Sequence, residues 1–296
     1  MKALHCMSSG QDSTLALYNL LRNTDHEVVA GYWRYTHFFS KNHLDFCERY
    51  IYNIVDWLRT NVRDFQFRVE RAPSPTWSFF LPPEHRIYDD VVTKEILEKY
   101  WNDELHNASD NMEILGAKAV VWILERFYGH YYWMNEINKH SRDKIDYVQT
   151  GNDRVQVGYG LNKVGATFWK DMTNVRLSCP LADEKMGRVA IYDAIPDRLR
   201  NVMNHCDDTK RNGENWCGSC VRCLTRQVHE SDISVEETEK IFDESVEKYM
   251  GMITDNLSDV KSSRRFYKEM LLKMLQIQKK RTVSYTHLTL PTILLV

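Results

Sequence analysis

Four cysteines, Cys206, Cys217, Cys220 and Cys223, gather around the run Cys-Gly-Ser-Cys-Val-Arg-Cys at residues 217–223. Thiolate sulfur binds zinc tetrahedrally, and two-residue spacings let successive sulfurs converge on one ion without strain. Cys217, Cys220 and Cys223 make two such steps, Cys206 supplies a fourth ligand from upstream, and Gly213 and Gly218 permit the turns. Four protein thiolates leave no open coordination position, so the expected metal is structural Zn2+ and not an activator of water. The same double spacing opens the bacterial iron–sulfur pattern, where a further cysteine follows shortly downstream beside a proline; no cysteine follows Cys223. Zinc is the expected occupant, with an iron–sulfur cluster or a metal-free turn as alternatives.

The opposite end of the chain carries Ser8-Ser9-Gly10-Gln11-Asp12-Ser13. A strand-to-helix turn of small residues can grip phosphate through free backbone N–H groups and the positive end of the helix dipole. Ser8, Ser9, Gly10 and Ser13 let the backbone wrap a diphosphate closely, and their hydroxyls add donors. Asp12 suits capping of the turn or holding a divalent ion such as Mg2+. No Gly-Lys-Ser/Thr closes the segment, so it is not the Walker pattern. A Ser/Asp-rich helix cap without ligand is the competing reading.

The elements that must position these groups follow from periodicity. Lys2–Met7 reads as a strand, Gln11–Arg22 as a helix, Val28–Tyr35 as a strand, His43–Thr60 as an amphipathic helix and Phe65–Val69 as a third strand. Strand–helix alternation predicts an α/β fold with a doubly wound parallel sheet. Residues 71–88, with Pro73, Pro75, Pro82 and Pro83, read as a long loop; helices are expected near 89–106, 112–140 and 188–204, and a core strand over Asp146–Gly151. Glycine-rich turns surround Gly158, Gly160 and Gly165, and two helices with charged outer faces are expected within 234–281. The division this suggests is a nucleotide-binding α/β domain over 1–205, a metal-binding segment over 206–232, C-terminal helices over 233–282, and a tail over 283–296. That tail is uncharged, aperiodic and too short in apolar residues to span a bilayer, and it reads as non-native.

Bulk properties narrow the classes. The 296 residues are 43% hydrophobic and 27% charged with a formal net charge of −2, ordinary values for a globular protein and too balanced for general attraction to polyanions or anionic membranes. No direct nucleic-acid or membrane partner is therefore expected. Seven cysteines are too few for a disulfide scaffold, and their clustering fits a reducing, cytoplasmic setting; Cys6, Cys47 and Cys179 read as buried small hydrophobes. The N-terminus reads as a strand running straight into the phosphate-type turn, so no signal peptide is expected there. The histidines show no metalloprotease pairing, and His37, His130 and His140 read as filler. The aromatic stripe Trp122, Phe127, Tyr128, Tyr131, Tyr132 and Trp133 can stack bases; packing against the sheet, or against a second copy in a homodimer, is the more expected use. Asp89-Asp90 and Asp207-Asp208 are adjacent pairs whose side chains point apart, and no acid–base role is expected of them.

The turn at 8–13, read as a Ser-Gly-Gly-x-Asp-Ser-like loop after a first strand, resembles that of the PP-loop ATP pyrophosphatases. Its combination with Cys-x10-Cys-Gly-x-Cys-x2-Cys, followed by Arg226, is similar to the 7-cyano-7-deazaguanine synthases within that family. His26-Glu-Val-Val-Ala before Tyr35, Thr150-Gly-Asn152 and Cys179-Pro-Leu181 ahead of Lys185 add to the likeness, which covers residues 1–70 and 145–230. Ser9 replaces the first loop glycine, Arg34 stands where the family tends to be acidic, Asn111-Met-Glu-Ile-Leu-Gly116 lacks the family's Pro-x-Arg-Asn-like run, and the C-terminal helices lie outside the pattern. The resemblance implies an ATP-dependent carbon–nitrogen ligase taking 7-carboxy-7-deazaguanine, a small-molecule deazapurine, with ammonia to the nitrile or amide. It assigns ATP to Ser8, Ser9, Gly10, Gln11, Asp12 and Ser13, with Asp12 and Lys185 as catalytic candidates. A PP-loop tRNA sulfurtransferase, a sulfonucleotide reductase-like enzyme and an inactive nucleotide-binding module are the alternatives.

Overall fold

The run Lys2–Cys6 carries a buried side chain at every position, as expected of a strand covered on both faces. It forms β1 at the centre of the sheet in a computed structural model that describes residues 1–34, 41–71, 129–152, 169–170, 173–204, 206, 217–253 and 267–280. The expected loop at 71–88 beyond Arg71, the helix at 89–106, the start of the 112–140 helix, the glycine-rich turns, His37 and the tail lie outside the described residues.

Around β1 the chain lays down α1 (Gln11–Asn23), β2 (Glu27–Arg34), α2 (Lys41–Asn61), β3 (Gln66–Arg71), α3 (described over 129–140), β4 (Tyr147–Thr150) and β5 (Arg176–Ser178). All pairings are parallel, in the order β3-β2-β1-β4-β5. Strand order therefore grows outward from β1 to β3 and then returns to the other side of β1. The register sets Leu4 beside Val29 and Val148, so β1 and β4 end together at Cys6 and Thr150 while β2 runs on to Arg34.

Helices α1 and α2 present Leu15, Leu17, Leu20 and Leu21, and Phe46, Ile51, Ile54, Val55 and Leu58, at helical spacing. These side chains share one core with Ala3, Val28, Ala30 and Tyr32 of the sheet. Side chains alternate along a strand, so Trp33 faces the opposite side, where its ring stacks on Trp133 of α3 at 5.6 Å. Tyr131 also meets Trp169 edge-on at 6.5 Å. The described part of the aromatic stripe thus packs on the sheet and its connections.

After β5 come α4 (Pro180–Asp183), α5 (Arg188–Ala194), α6 (Asp197–Arg200), α7 (Val221–His229), α8 (Val235–Ile253) and α9 (described over 267–280). The single helix expected near 188–204 is two: Ile195 leaves helical geometry with ψ 127, and Pro196 then starts α6. β5 was not foreseen as a strand, because its three residues are too few to show a period. A second core joins Leu224 and Val228 of α7, Ile241, Phe242 and Val246 of α8, and Tyr267, Met270, Leu271 and Met274 of α9. Helix α5 is the wedge between the two cores, placing Ile191 in the first and Val189 in the second. Among the described residues no helix is long and apolar enough to cross a membrane.

Candidate anion site and metal centre

The chain leaves β1 at its carboxyl end and enters α1 through Gly10, an N-cap in extended conformation with φ −89 and ψ 160. No side chain caps the helix, so its first N–H groups are not taken by the residue that usually takes them. The hydroxyls that could have capped it are occupied within the turn. Ser13 Oγ accepts from Ser8 N at 3.0 Å and donates towards Ser8 O at 3.0 Å, and lies 2.8 Å from Ser8 Oγ. Thr14 Oγ1 donates to Gly10 O at 2.8 Å. Ser9 and Ser13 are buried while Ser8 is exposed and Gly10 half-buried, so the mouth of the turn is open at Ser8 and Gly10.

Two neighbours fix the turn's shape. Gly151, just past β4, lies so close that a Cβ there would sit 2.6 Å from the carbonyl carbon of Asp12 and closer still to Ser13 N and Cα. Only glycine fits that approach. On the other side, the N-terminus of α5 docks on the turn: Gln11 Nε2 donates to Arg188 O at 2.8 Å, and Arg188 Nη2 pairs with Asp12 Oδ2 at 3.3 Å. The Arg188 guanidinium also lies 4.5 Å from the Tyr267 ring, so α9 supports the same contact. Asp12 Oδ1 is buried and accepts no hydrogen bond among the described residues, which leaves one carboxylate oxygen able to face a cation. Beneath the turn, His5 is fully buried; burial pushes its pKa down to about 4, and the Ser13 backbone opposes this only in part.

The cysteine cluster forms as its spacing suggests. The sulfurs of Cys206, Cys217, Cys220 and Cys223 all lie within 4.8 Å of one another, and those of Cys217 and Cys223 are 3.8 Å apart. Tetrahedral bonds of about 2.3 Å imply sulfur–sulfur edges of about 3.8 Å, so the four can hold a metal such as zinc. Gly218 makes the turn possible with φ +70. Cys220 Sγ caps α7 by accepting from Cys223 N, and Cys217 Sγ accepts from Cys220 N at 3.3 Å. Burial works against a Cys217 thiolate, but the Ser219 and Cys220 donors outweigh it and bring the thiol down to about 6, while burial pushes Cys223 up. Deprotonated sulfur is the ligand form, and N–H donors to sulfur favour it.

The two features meet. Arg222, between Cys220 and Cys223 in the chain, donates Nη1 to Ser9 O at 3.4 Å and to Asn204 O at 3.2 Å. Asn204 Oδ1 in turn accepts from Cys206 N at 3.0 Å. A continuous path of hydrogen bonds thus runs from the cysteine turn to the loop at 8–13.

The structure brings Ser8, Ser9, Gly10, Gln11, Asp12 and Ser13 together in one turn, and among the described residues no hydrogen bond or ion pair ties Lys185 to them. Lys185 is exposed at the end of α4 in the left-handed region, φ 55, and it is Arg188 that pairs with the loop. Arg34, at the carboxyl end of β2, is neutralised by Asp45 at 2.7 Å and Glu48 at 2.6 Å from α2. Sequence reasoning missed Arg188 and Arg222. Arg188 had a signal in Gly187-Arg188 ahead of an apolar run, and Arg222 in its place between two cysteines; neither says which element faces it. No protein-family model matches the chain, and no curated protein matches it.

Proposed function

We propose that the chain is an ATP-using enzyme that adenylates a carboxylate and releases pyrophosphate, with the open turn at Ser8–Ser13 holding the departing diphosphate. The observation that carries this reading is the uncapped N-terminus of α1, ringed by Ser8, Gly10, Arg188 and Arg222 beside the strand-order reversal at β1 and β4. In a doubly wound sheet, the arrangement we assign to this strand order, ligands gather at the carboxyl ends of strands where the order reverses. Charge that develops on the leaving diphosphate would meet fixed N–H dipoles and guanidinium groups, so no side-chain nucleophile is needed. Asp12 Oδ1 is the group that would hold Mg2+, which when bound neutralises phosphate charge. We assign zinc to the four cysteines as a closed structural centre.

For the substrate we favour 7-carboxy-7-deazaguanine with ammonia, on the pairing of the loop with the Cys-x10-Cys-Gly-x-Cys-x2-Cys motif that Arg222 links in space. The substrate carboxylate oxygen attacks the α-phosphorus of ATP and the α–β bond breaks. Ammonia then displaces AMP to give the amide, and a second adenylation with loss of AMP gives the nitrile. Sulfur transfer is disfavoured by the burial of Cys6, Cys47 and Cys179, which leaves no accessible thiol among them. Mass spectrometry after incubation with 7-carboxy-7-deazaguanine, ATP, magnesium and ammonium tests the reading. Conversion of the acid with AMP and pyrophosphate released is expected; an unchanged acid with ATP intact retires it.

A further inference from the structure

Arg222 occupies an electrostatically awkward place. It lies in the first turn of α7, where the helix dipole is positive and a cation is disfavoured. Its guanidinium also approaches the start of α1, a second positive helix end: Nη2 comes within 3.7 Å of where a Gly10 side chain would begin. The Arg222 guanidinium thus reaches the half-open face of Ser8–Gly10 from within the cysteine cluster. A divalent ion bound by four thiolates would be formally dianionic and would offset a cation beside it. An anion at the mouth of the turn would meet the same guanidinium from the other side.

Arg222 is anchored through its place in the chain and through its side chain. Cys220 and Cys223 flank it in sequence and belong to one sulfur cluster, so binding of a metal locks its Cα from both directions. Its Nη1 then holds the carbonyls of Ser9 and Asn204, and Asn204 returns to the backbone of Cys206, a third member of the cluster.

We propose that Arg222 is a positioning and anion-contacting residue through which metal in the cysteine cluster governs the affinity of the Ser8–Ser13 turn for the diphosphate of a nucleotide. The inference rests on the reading of that turn as a pyrophosphate site. Its distinguishing consequence is that metal and Arg222 act on affinity as one unit and not as two independent contributions.

The test is calorimetric titration of inorganic pyrophosphate into the full chain, as wild type, Arg222→Met and Arg222→Lys, each with metal bound and after chelation under reducing conditions. Metal content is counted by mass spectrometry and tertiary packing is followed by near-ultraviolet circular dichroism. Loss of one charge-assisted contact weakens binding about ten- to hundredfold in metal-loaded Arg222→Met, with one metal per chain retained and Arg222→Lys intermediate. Chelation weakens the wild type by about tenfold and leaves Arg222→Met within about twofold of its metal-loaded value. Where chelation melts the packing of α7, α8 and α9, the metal-loaded Arg222→Met and Arg222→Lys values decide alone. Metal-loaded Arg222→Met binding within about twofold of wild type overturns the inference and leaves the loop reading intact. Equal losses on chelation in wild type and Arg222→Met overturn the coupling. A wild type that binds no pyrophosphate overturns the loop reading and this inference with it.

Discussion

Helices α1 and α7 begin on nearly the same backbone geometry and use it in opposite ways. Gly10 caps α1 at φ −89 and ψ 160, and Cys220 caps α7 at φ −79 and ψ 163. In α7 the cap sulfur accepts the Cys223 N–H, and the turn before it is folded by a second N–H···S bond onto Cys217. In α1 Ser8 Oγ accepts the Gly10 N–H at 3.2 Å and otherwise pairs with Ser13, and among the described residues no side chain accepts the N–H groups that follow. One helix start spends its donors on cysteine sulfurs that could hold a metal, which suits the closed structural centre we propose. The other leaves its first N–H groups to an outside acceptor, which suits the anion site we propose. What separates the two is whether the nearby side chains point back at the helix or at one another.

The comparison is broken most severely at the knot. Cys223 is fully buried, and Cys223→Ser is expected to drop metal content from one per chain to none and to destabilise the second core by several kcal/mol, as loss of a structural metal does. Metal counting alongside thermal denaturation checks it; a cost of only about 2 kcal/mol with no metal in the wild type would mark the turn as metal-free.

Next in size is the acid response beneath α1. His5 has a folded pKa of about 4 against an ordinary value of 6.5, so the unfolded chain binds the proton first. Stability contributed by keeping His5 neutral is complete above about pH 6.5 and is lost as pH falls towards 4, on the order of 3 kcal/mol. Denaturant titrations across that window should show a steep decline in the wild type and a shallower one in His5→Gln. Equal slopes would mean that His5 is solvated in the native state.

Gly151→Ala sharpens the claim that the receptive turn needs its close neighbour. The added methyl must displace the Asp12–Ser13 backbone, at a cost of about 1–3 kcal/mol, and pyrophosphate affinity should fall by more than stability alone explains. An unchanged melting curve would show that β4 can withdraw freely. The smallest effect is expected at Lys185→Gly, which relieves a left-handed residue and should stabilise by about 0.5–1 kcal/mol without weakening pyrophosphate binding. A large loss of binding there would return Lys185 to the phosphate site.

The parallel α/β core was legible because β1 and β2 are short runs rich in apolar residues and α1 and α2 carry a helical apolar period, and the observed limits of these and of β3 differ from the expected ones by one or two residues. The four-cysteine cluster was legible because its spacing alone restricts the geometry. Pro196 announced a break that the 188–204 reading passed over, since Leu199 and Met203 continue the helical period beyond it. Arg188 and Arg222 were not legible as site residues. Each reaches the loop from a distant segment, and the packing of α5 on α1 and of α7 on α5 is a tertiary fact that no local pattern encodes. Lys185 drew attention by chemistry, and it lies exposed at the end of a short helix, a placement its sequence context did not show.

The central claim is that the mouth of the Ser8–Ser13 turn receives the phosphates of ATP. A crystal structure of the full chain grown with magnesium and a non-hydrolysable ATP analogue tests it most directly. The account expects the β- and γ-phosphates on the N–H groups that open α1, within reach of Ser8 and Arg222. Nucleotide bound elsewhere, or a turn still bare at saturating analogue, would contradict it.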